Sequence, residues 1–164
     1  MKITRIIFVL SALMMSACSQ PPRADLVLVN KSTNKMYLID DGEVMKEYKV
    51  SLGQNPIGDK VQEGDMRTPE GRYLLEYKNK QSKFYKSIKV SYPNAYDIAE
   101  AAARGVDPGG EIVIHGLPNG VRDSDIKGEL YPLNWTEGCI AVRNREMDEI
   151  WRLVEVDTPI EIRP

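Results

Sequence analysis

At 164 residues the chain is long enough for one domain with a sizeable core and too short for two ordinary ones. A composition of 42% hydrophobic and 28% charged residues, with 12 glycines and 10 prolines, describes a turn-rich globular protein and excludes a disordered chain. A net charge of -2 and 7% aromatic residues exclude a basic, base-stacking surface, so no nucleic-acid partner is expected.

The first stretch, MKITRIIFVLSALMMSAC, sets Lys2 and Arg5 ahead of an apolar run from Ile6 to Met15, then Ser16 and Ala17 ahead of Cys18. This is the layout of an export signal; so short a run does not span a hydrocarbon core of about 30 Å, which takes roughly 20 apolar residues. MSAC resembles the bacterial lipobox, with Met15 where Leu is more usual. The resemblance implies removal of residues 1–17, lipidation of Cys18 and, from Ser19, delivery to the outer membrane. A plain secretory signal with a chance cysteine is the alternative. Loss of Lys2 and Arg5 takes the net charge from -2 to -4, so membrane attachment falls to the lipid and not to basic residues. A lipid-bearing Cys18 is no disulfide partner, and export leads to an oxidising compartment, which leaves Cys139 as an unpaired thiol.

SQPPRAD, residues 19–25, has the composition of a tether that follows Cys18. The folded domain is expected over 26–164. LVLVN (26–30) and KMYLID (35–40) flank a turn, and DDGE leads into VMKEYKVSLG (44–53), which reads as a strand meander. TPEGRYLLEYK turns at 69–71 and continues as a strand through Tyr73, Leu74, Leu75 and Tyr77. SIKVSY (87–92), EIVIHG (111–116) and TPIEIRP (158–164) are further strand candidates. No internal repeat is present.

Two segments carry helical periodicity. In DIAEAAARG, Ile98, Ala101 and Ala102 share a face, Asp97 starts the helix and Gly105 stops it. In NREMDEIWRLV, Met147, Ile150, Trp151 and Val154 share a face, with Asn144 as the expected N-cap. The fold class is therefore mainly β: a sheet system curled around one core, with a few short peripheral helices.

The only histidine, His115, ends the apolar run EIVI just before Gly116. In a strand there, Val113 and His115 lie on one face and Ile112 and Ile114 on the other. A neutral imidazole takes a proton from a thiol at neutral pH, and a glycine beside it lets another group approach closely. A lone cysteine with a lone histidine is the pattern of a thiol nucleophile and its base; a buried structural Cys and a satisfied structural His are the alternatives. Gly138 before Cys139 permits a tight turn whose amides could hold an oxyanion. One His and one thiol fall short of a zinc site, so no metal and no cofactor is expected.

TPEG (68–71), IHG (114–116) and TEGCIAV (136–142), in that chain order, resemble the signatures of the L,D-transpeptidase catalytic domain, the YkuD family of ErfK/YbiS/YcfS/YnhG type, over residues 26–163, which implies a curled mixed β-sheet forming a barrel-like sandwich. YPNAYDIA (92–99) is similar to the branch that includes the YafK proteins. The resemblance implies a nucleophile at Cys139, its base at His115, an orienting carbonyl at Gly116, and oxyanion donors at the amides of Gly138 and Cys139. Thr136, in place of the usual Ser, and Arg143 are its candidates for substrate contact. Glu137 and Ala141 depart from a histidine and an arginine common in the family.

The implied activity is acyl transfer on peptidoglycan stem peptides through a thioester. Transpeptidation, hydrolysis that releases D-Ala or a protein, and binding without catalysis all remain open, with a protein as a further candidate acceptor or substrate. The loop from Leu117 to Asn134 reads equally as a lid or as a solvated surface loop with Asp123, Asp125 and Glu129 facing water. Trp135 reads as a core or cleft-wall residue.

Overall fold

Period-two burial builds the first strands. Val27 and Val29 in β1 (Leu26–Asn30) and Met36 and Leu38 in β2 (Lys35–Asp40) are fully buried, which fixes the core-facing side of both. β3 (Glu43–Lys49) buries only Tyr48 and pairs antiparallel with β2. The computed structural model describes residues 22–126 and 134–164; the leader, Cys18 and the Gly128, Glu129 and Pro132 part of the long loop lie outside them.

β4 (Gly71–Asn79), β5 (Ser87–Val90), β6 (Val113–His115), β7 (Ile140–Ala141) and β8 (Pro159–Arg163) complete an eight-stranded mixed sheet of order β3-β2-β1-β8-β4-β5-β6-β7. The β1–β8 and β6–β7 pairs are parallel, the others antiparallel. The sheet curls until its ends meet. Just beyond β3, Ser51 exchanges two backbone hydrogen bonds with Ala141 of β7 (2.9 and 2.8 Å), and Gly53 bridges Thr136. The mainly β, curled expectation therefore holds, and the curl places the TEGC segment against the chain that leaves β3.

Between β3 and β4 the chain makes an irregular excursion held by two buried lysines. Lys31 donates to the carbonyls of Gly58 (2.6 Å) and Thr68 (2.8 Å) and to Glu70 Oε1 (2.7 Å). Lys60 donates to Asp65 Oδ1 (2.9 Å), while Asp65 also accepts the amides of Val61, Gln62 and Arg67. Burial works against the Asp65 carboxylate, but these donors outweigh it and hold it below its ordinary range.

Both helices are present, with starts that differ from the sequence reading. α1 (Ala95–Ala103) begins ahead of Asp97, because Asn94 is its N-cap and Asp97 closes a reciprocal capping box from the third helical position. Ala101 is buried, whereas Ile98 is exposed and Asp97 is buried instead, accepting from Tyr73 Oη at 3.2 Å. α2 (Asn144–Leu153) has Arg143 at its N-cap, so Asn144 is the first helical residue. Its predicted apolar face is on the core: Met147, Ile150 and the following Val154 are fully buried and Trp151 partly so. Each of these aliphatic side chains contributes about 1.5–3 kcal/mol by leaving water.

Asn144 keeps a different task. Its side-chain carbonyl accepts the Leu117 amide at 2.8 Å, and Asp123 takes over the capping by accepting the amides of Asn144 (2.8 Å) and Arg145 (3.0 Å). The described part of the long loop is thus tied down. Leu117 is buried against Ala141, Asp123 is bound to α2, and Asp125 pairs with Arg122.

Candidate active site

β6 carries His115 on the sheet face opposite Ile114, which is in the core. His115 registers with Ala141 of the parallel strand β7, so Cys139, immediately before that strand, falls on the same face by alternation. His115 and Cys139 line one cleft of about 320 Å³ together with Gln54, Phe84, Trp135, Thr136 and Glu137. A second hollow of about 240 Å³, lined among others by Lys60, Glu63, Glu111 and Glu137, also reaches Cys139.

The imidazole is held in one orientation. His115 Nδ1 lies 2.6 Å from the Gly116 carbonyl, which only accepts, so Nδ1 carries the proton and Nε2 is left as the acceptor. Phe84 stacks on the ring at 4.4 Å between centroids, and Trp135 meets it edge-on at 5.6 Å. Burial, with His115 only 1% exposed, pulls its pKa down to about 4, against the opposing hydrogen bond to Gly116. Burial also pushes the Cys139 thiol up, and the neighbouring Val113 backbone opposes this. At neutral pH the pair is therefore a neutral thiol and a neutral imidazole.

The loop before the thiol is built around one hydroxyl. Thr136 Oγ1 donates to the Cys139 carbonyl at 2.7 Å and accepts the Gly138 amide at 3.2 Å. Of the two amides expected to face an oxyanion, that of Gly138 is already engaged, whereas the Cys139 amide has no acceptor among the described residues. Gly138 has φ +132, and a Cβ there would sit 2.5 Å from the Arg67 carbonyl, so the turn into Cys139 depends on glycine. At Gly116 a Cβ would lie 2.6 Å from Asn144 Oδ1 and 3.0 Å from Tyr85 Cβ. The close approach expected beside His115 is thus made by the protein's own α2 and Tyr85.

Arg143 lines neither hollow and is the N-cap of α2, its amide donating to Glu146. Glu137 is exposed and lines both hollows, and Ala141 is buried in β7.

The model of the L,D-transpeptidase catalytic domain, YkuD, matches residues 24–162. The chain belongs to the L,D-transpeptidase catalytic-domain family. It is 29% identical over 114 residues to YafK of Escherichia coli K12, a protein provisionally named an L,D-transpeptidase; the match covers 68% of this chain and 38% of YafK. Among solved structures it is similar to the helical cell shape determining protein Pgp2 of Campylobacter jejuni, with TM-score 0.61 and 29% identity over 84% of this chain and 46% of that one. The L,D-transpeptidase of Mycobacterium smegmatis shares the fold, with TM-score 0.55 and 16% identity over 85% of this chain and 58% of its own. The chain spans less than half the length of YafK and of Pgp2.

Within this L,D-transpeptidase domain, sequence reasoning missed Phe84, Gln54, Lys60, Glu63 and Glu111 as walls around the thiol. Trp135, which the sequence reads as a core or cleft-wall residue, lines the cleft. The missed residues come from segments distant in sequence, and no local motif marks them. Glu111 does carry a local anomaly, a φ of +55, and its carbonyl accepts from Cys139 Sγ at 3.6 Å.

Proposed function

We propose that this domain carries out cysteine-dependent acyl transfer on peptidoglycan stem peptides. The observation that carries the reading is the His115–Cys139 pair on one cleft, with Nδ1 committed to Gly116 and Nε2 left to accept a proton. In the proposed sequence Nε2 takes the thiol proton while Sγ attacks the diaminopimelate carbonyl of a tetrapeptide stem. The Cys139 amide donates to the resulting oxyanion, with Gly138 available only if it shares its bond to Thr136. Collapse breaks the amide bond, and the imidazolium returns the proton to the departing D-Ala amine, leaving a thioester on Cys139. An incoming amine or water then takes the acyl group, with His115 relaying a proton from it to the leaving thiolate.

The likeness to YafK and Pgp2 supports the peptidoglycan reading, and the cell-shape role in the name of Pgp2 agrees with wall remodelling. The compartment that suits this activity is the periplasmic side of the envelope, with Cys18 as the lipid anchor to the outer membrane. Arg143 stays a weak candidate for substrate contact, since it lines neither hollow.

The test is incubation of the full chain with tetrapeptide muropeptides, followed by mass spectrometry of protein and products. An acyl adduct on Cys139 with loss of D-Ala is expected, absent in Cys139→Ala. Product masses distinguish a cross-link from hydrolysis. No adduct and no product, with retained binding in both proteins, would replace the proposal with a peptidoglycan-binding role.

A further inference from the structure

β5 alternates sharply. Ile88 and Val90 are in the core, whereas Ser87 and Lys89 lie on the other face, opposite His115 and Val113 respectively across the β5–β6 pair. That is the face that carries the thiol. Directly opposed residues on neighbouring strands have Cβ atoms about 5 Å apart, so Lys89 sits beside Val113, whose backbone favours the Cys139 thiolate.

Lys89 is only 8% exposed, and burying an ammonium is costly unless a charge compensates it. Among the described residues its carboxylate partner is Glu111, at 3.6 Å, whose side chain is 88% exposed. Such a pair is weak because water screens it. Glu111 is also the residue in the left-handed backbone region whose carbonyl meets Cys139 Sγ. Lys89 and the sulfur are thus neighbours through Val113 on one side and Glu111 on the other.

Among the described residues, the ionisable groups around Cys139 are Lys60, Glu63, Lys89, Glu111, His115 and Glu137. Three are carboxylates, and Glu111 and Glu137 oppose a charge on the sulfur. Of the two lysines, Lys60 is committed to Asp65 and the Gln62 carbonyl. His115 starts neutral. Lys89, whose partner Glu111 is solvent-exposed and therefore screened, is the other cation, and its charge favours the thiolate.

We propose that Lys89 is a positioning residue for the nucleophile: its ammonium stabilises the negative charge on Cys139 Sγ once the thiol proton has left, and Glu111 sets how much of that field reaches the sulfur. The inference rests on the reading of Cys139 as the nucleophile. Lys89 keeps its own protons throughout; the thiol proton passes to His115 Nε2.

The test is the pH dependence of Cys139 alkylation by iodoacetamide in the full chain, read by peptide mass spectrometry so that Cys18 is counted separately. Lys89→Met is expected to slow alkylation at pH 7.5 by about fivefold and move the midpoint to higher pH, while Lys89→Arg stays within about twofold of the parent. Glu111→Gln is expected to move the midpoint to lower pH. Lys89→Gln serves as a second neutral variant should Lys89→Met fail to fold; if neither folds, the Glu111→Gln midpoint decides, and no downward shift overturns the proposal. A parental midpoint in a folded neutral variant, or loss in Lys89→Arg equal to that in Lys89→Met, overturns it too. Alkylation needs no stem peptide, so failure here and failure of the acyl-transfer reading are separately visible.

Discussion

The rings of Phe84 and His115 lie 4.4 Å apart at 36° to one another, closing the imidazole off from water on one side. Phe84→Ala should therefore admit water and let the imidazolium form more easily. As His115 is the only histidine, its C2–H NMR resonance is unique, and it is expected to titrate at higher pH in the variant than in the parent, where burial holds the pKa at about 4.

The same burial has a stability consequence. His115 has a folded pKa of about 4 against 6.5 for the free side chain, so between these values the unfolded chain takes up a proton that the folded chain refuses. The contribution is intact above pH 6.5 and is lost as pH falls towards 4, by an amount on the order of 3 kcal/mol. His115→Gln should show a smaller drop in urea midpoint between pH 7 and pH 4.5 than the parent. An equal drop would show that other groups govern acid sensitivity.

Thr136 is expected to act through the loop and not through bulk. Thr136→Ser keeps the hydroxyl that joins the Cys139 carbonyl to the Gly138 amide and should retain acylation near the parental rate. Thr136→Val leaves that amide and carbonyl without their partner, at a cost of about 1–3 kcal/mol. Thermal melts and the rate of Cys139 acylation, measured on both variants, check this.

Asp123 caps α2 from outside the helix by accepting the amides of Asn144 and Arg145. Asp123→Ala should lower stability by about 1 kcal/mol, the ordinary worth of an N-cap. A solvated loop residue would give no change in the denaturation midpoint.

Lys31 is nearly enclosed by Gly58, Thr68 and Glu70. Lys31→Met is expected to cost about 3 kcal/mol by leaving a partly buried carboxylate and two carbonyls unpaired. The double variant with Glu70→Leu should recover part of that loss in the same denaturation measurement.

The helix starts show where sequence reading succeeds and where it stops. The faces of Met147, Ile150 and Val154 were legible because helical periodicity is local and strong. The cap of α2 was not, because Asp123 reaches it from a separate loop, and Asn144, a good cap by residue type, is drawn off by the Leu117 amide. α1 shows a local version of the same competition: Asn94 and Asp97 both suit a helix start, and their reciprocal bonds decide that Asn94 is the cap.

By itself the sequence determined the alternating strands, the face on which His115 stands, and the glycine that precedes the Cys139 thiol. Those features depend on neighbours a few residues apart and on residue chemistry. The tertiary structure decided that β8 inserts between β1 and β4, that residues 51–53 close the curl onto β7, and that Phe84, Lys89 and Glu111 gather around Cys139. Strand pairing is settled between distant segments by the whole core, and the charge state of a thiol is settled by burial and through-space fields, which local spacing does not encode.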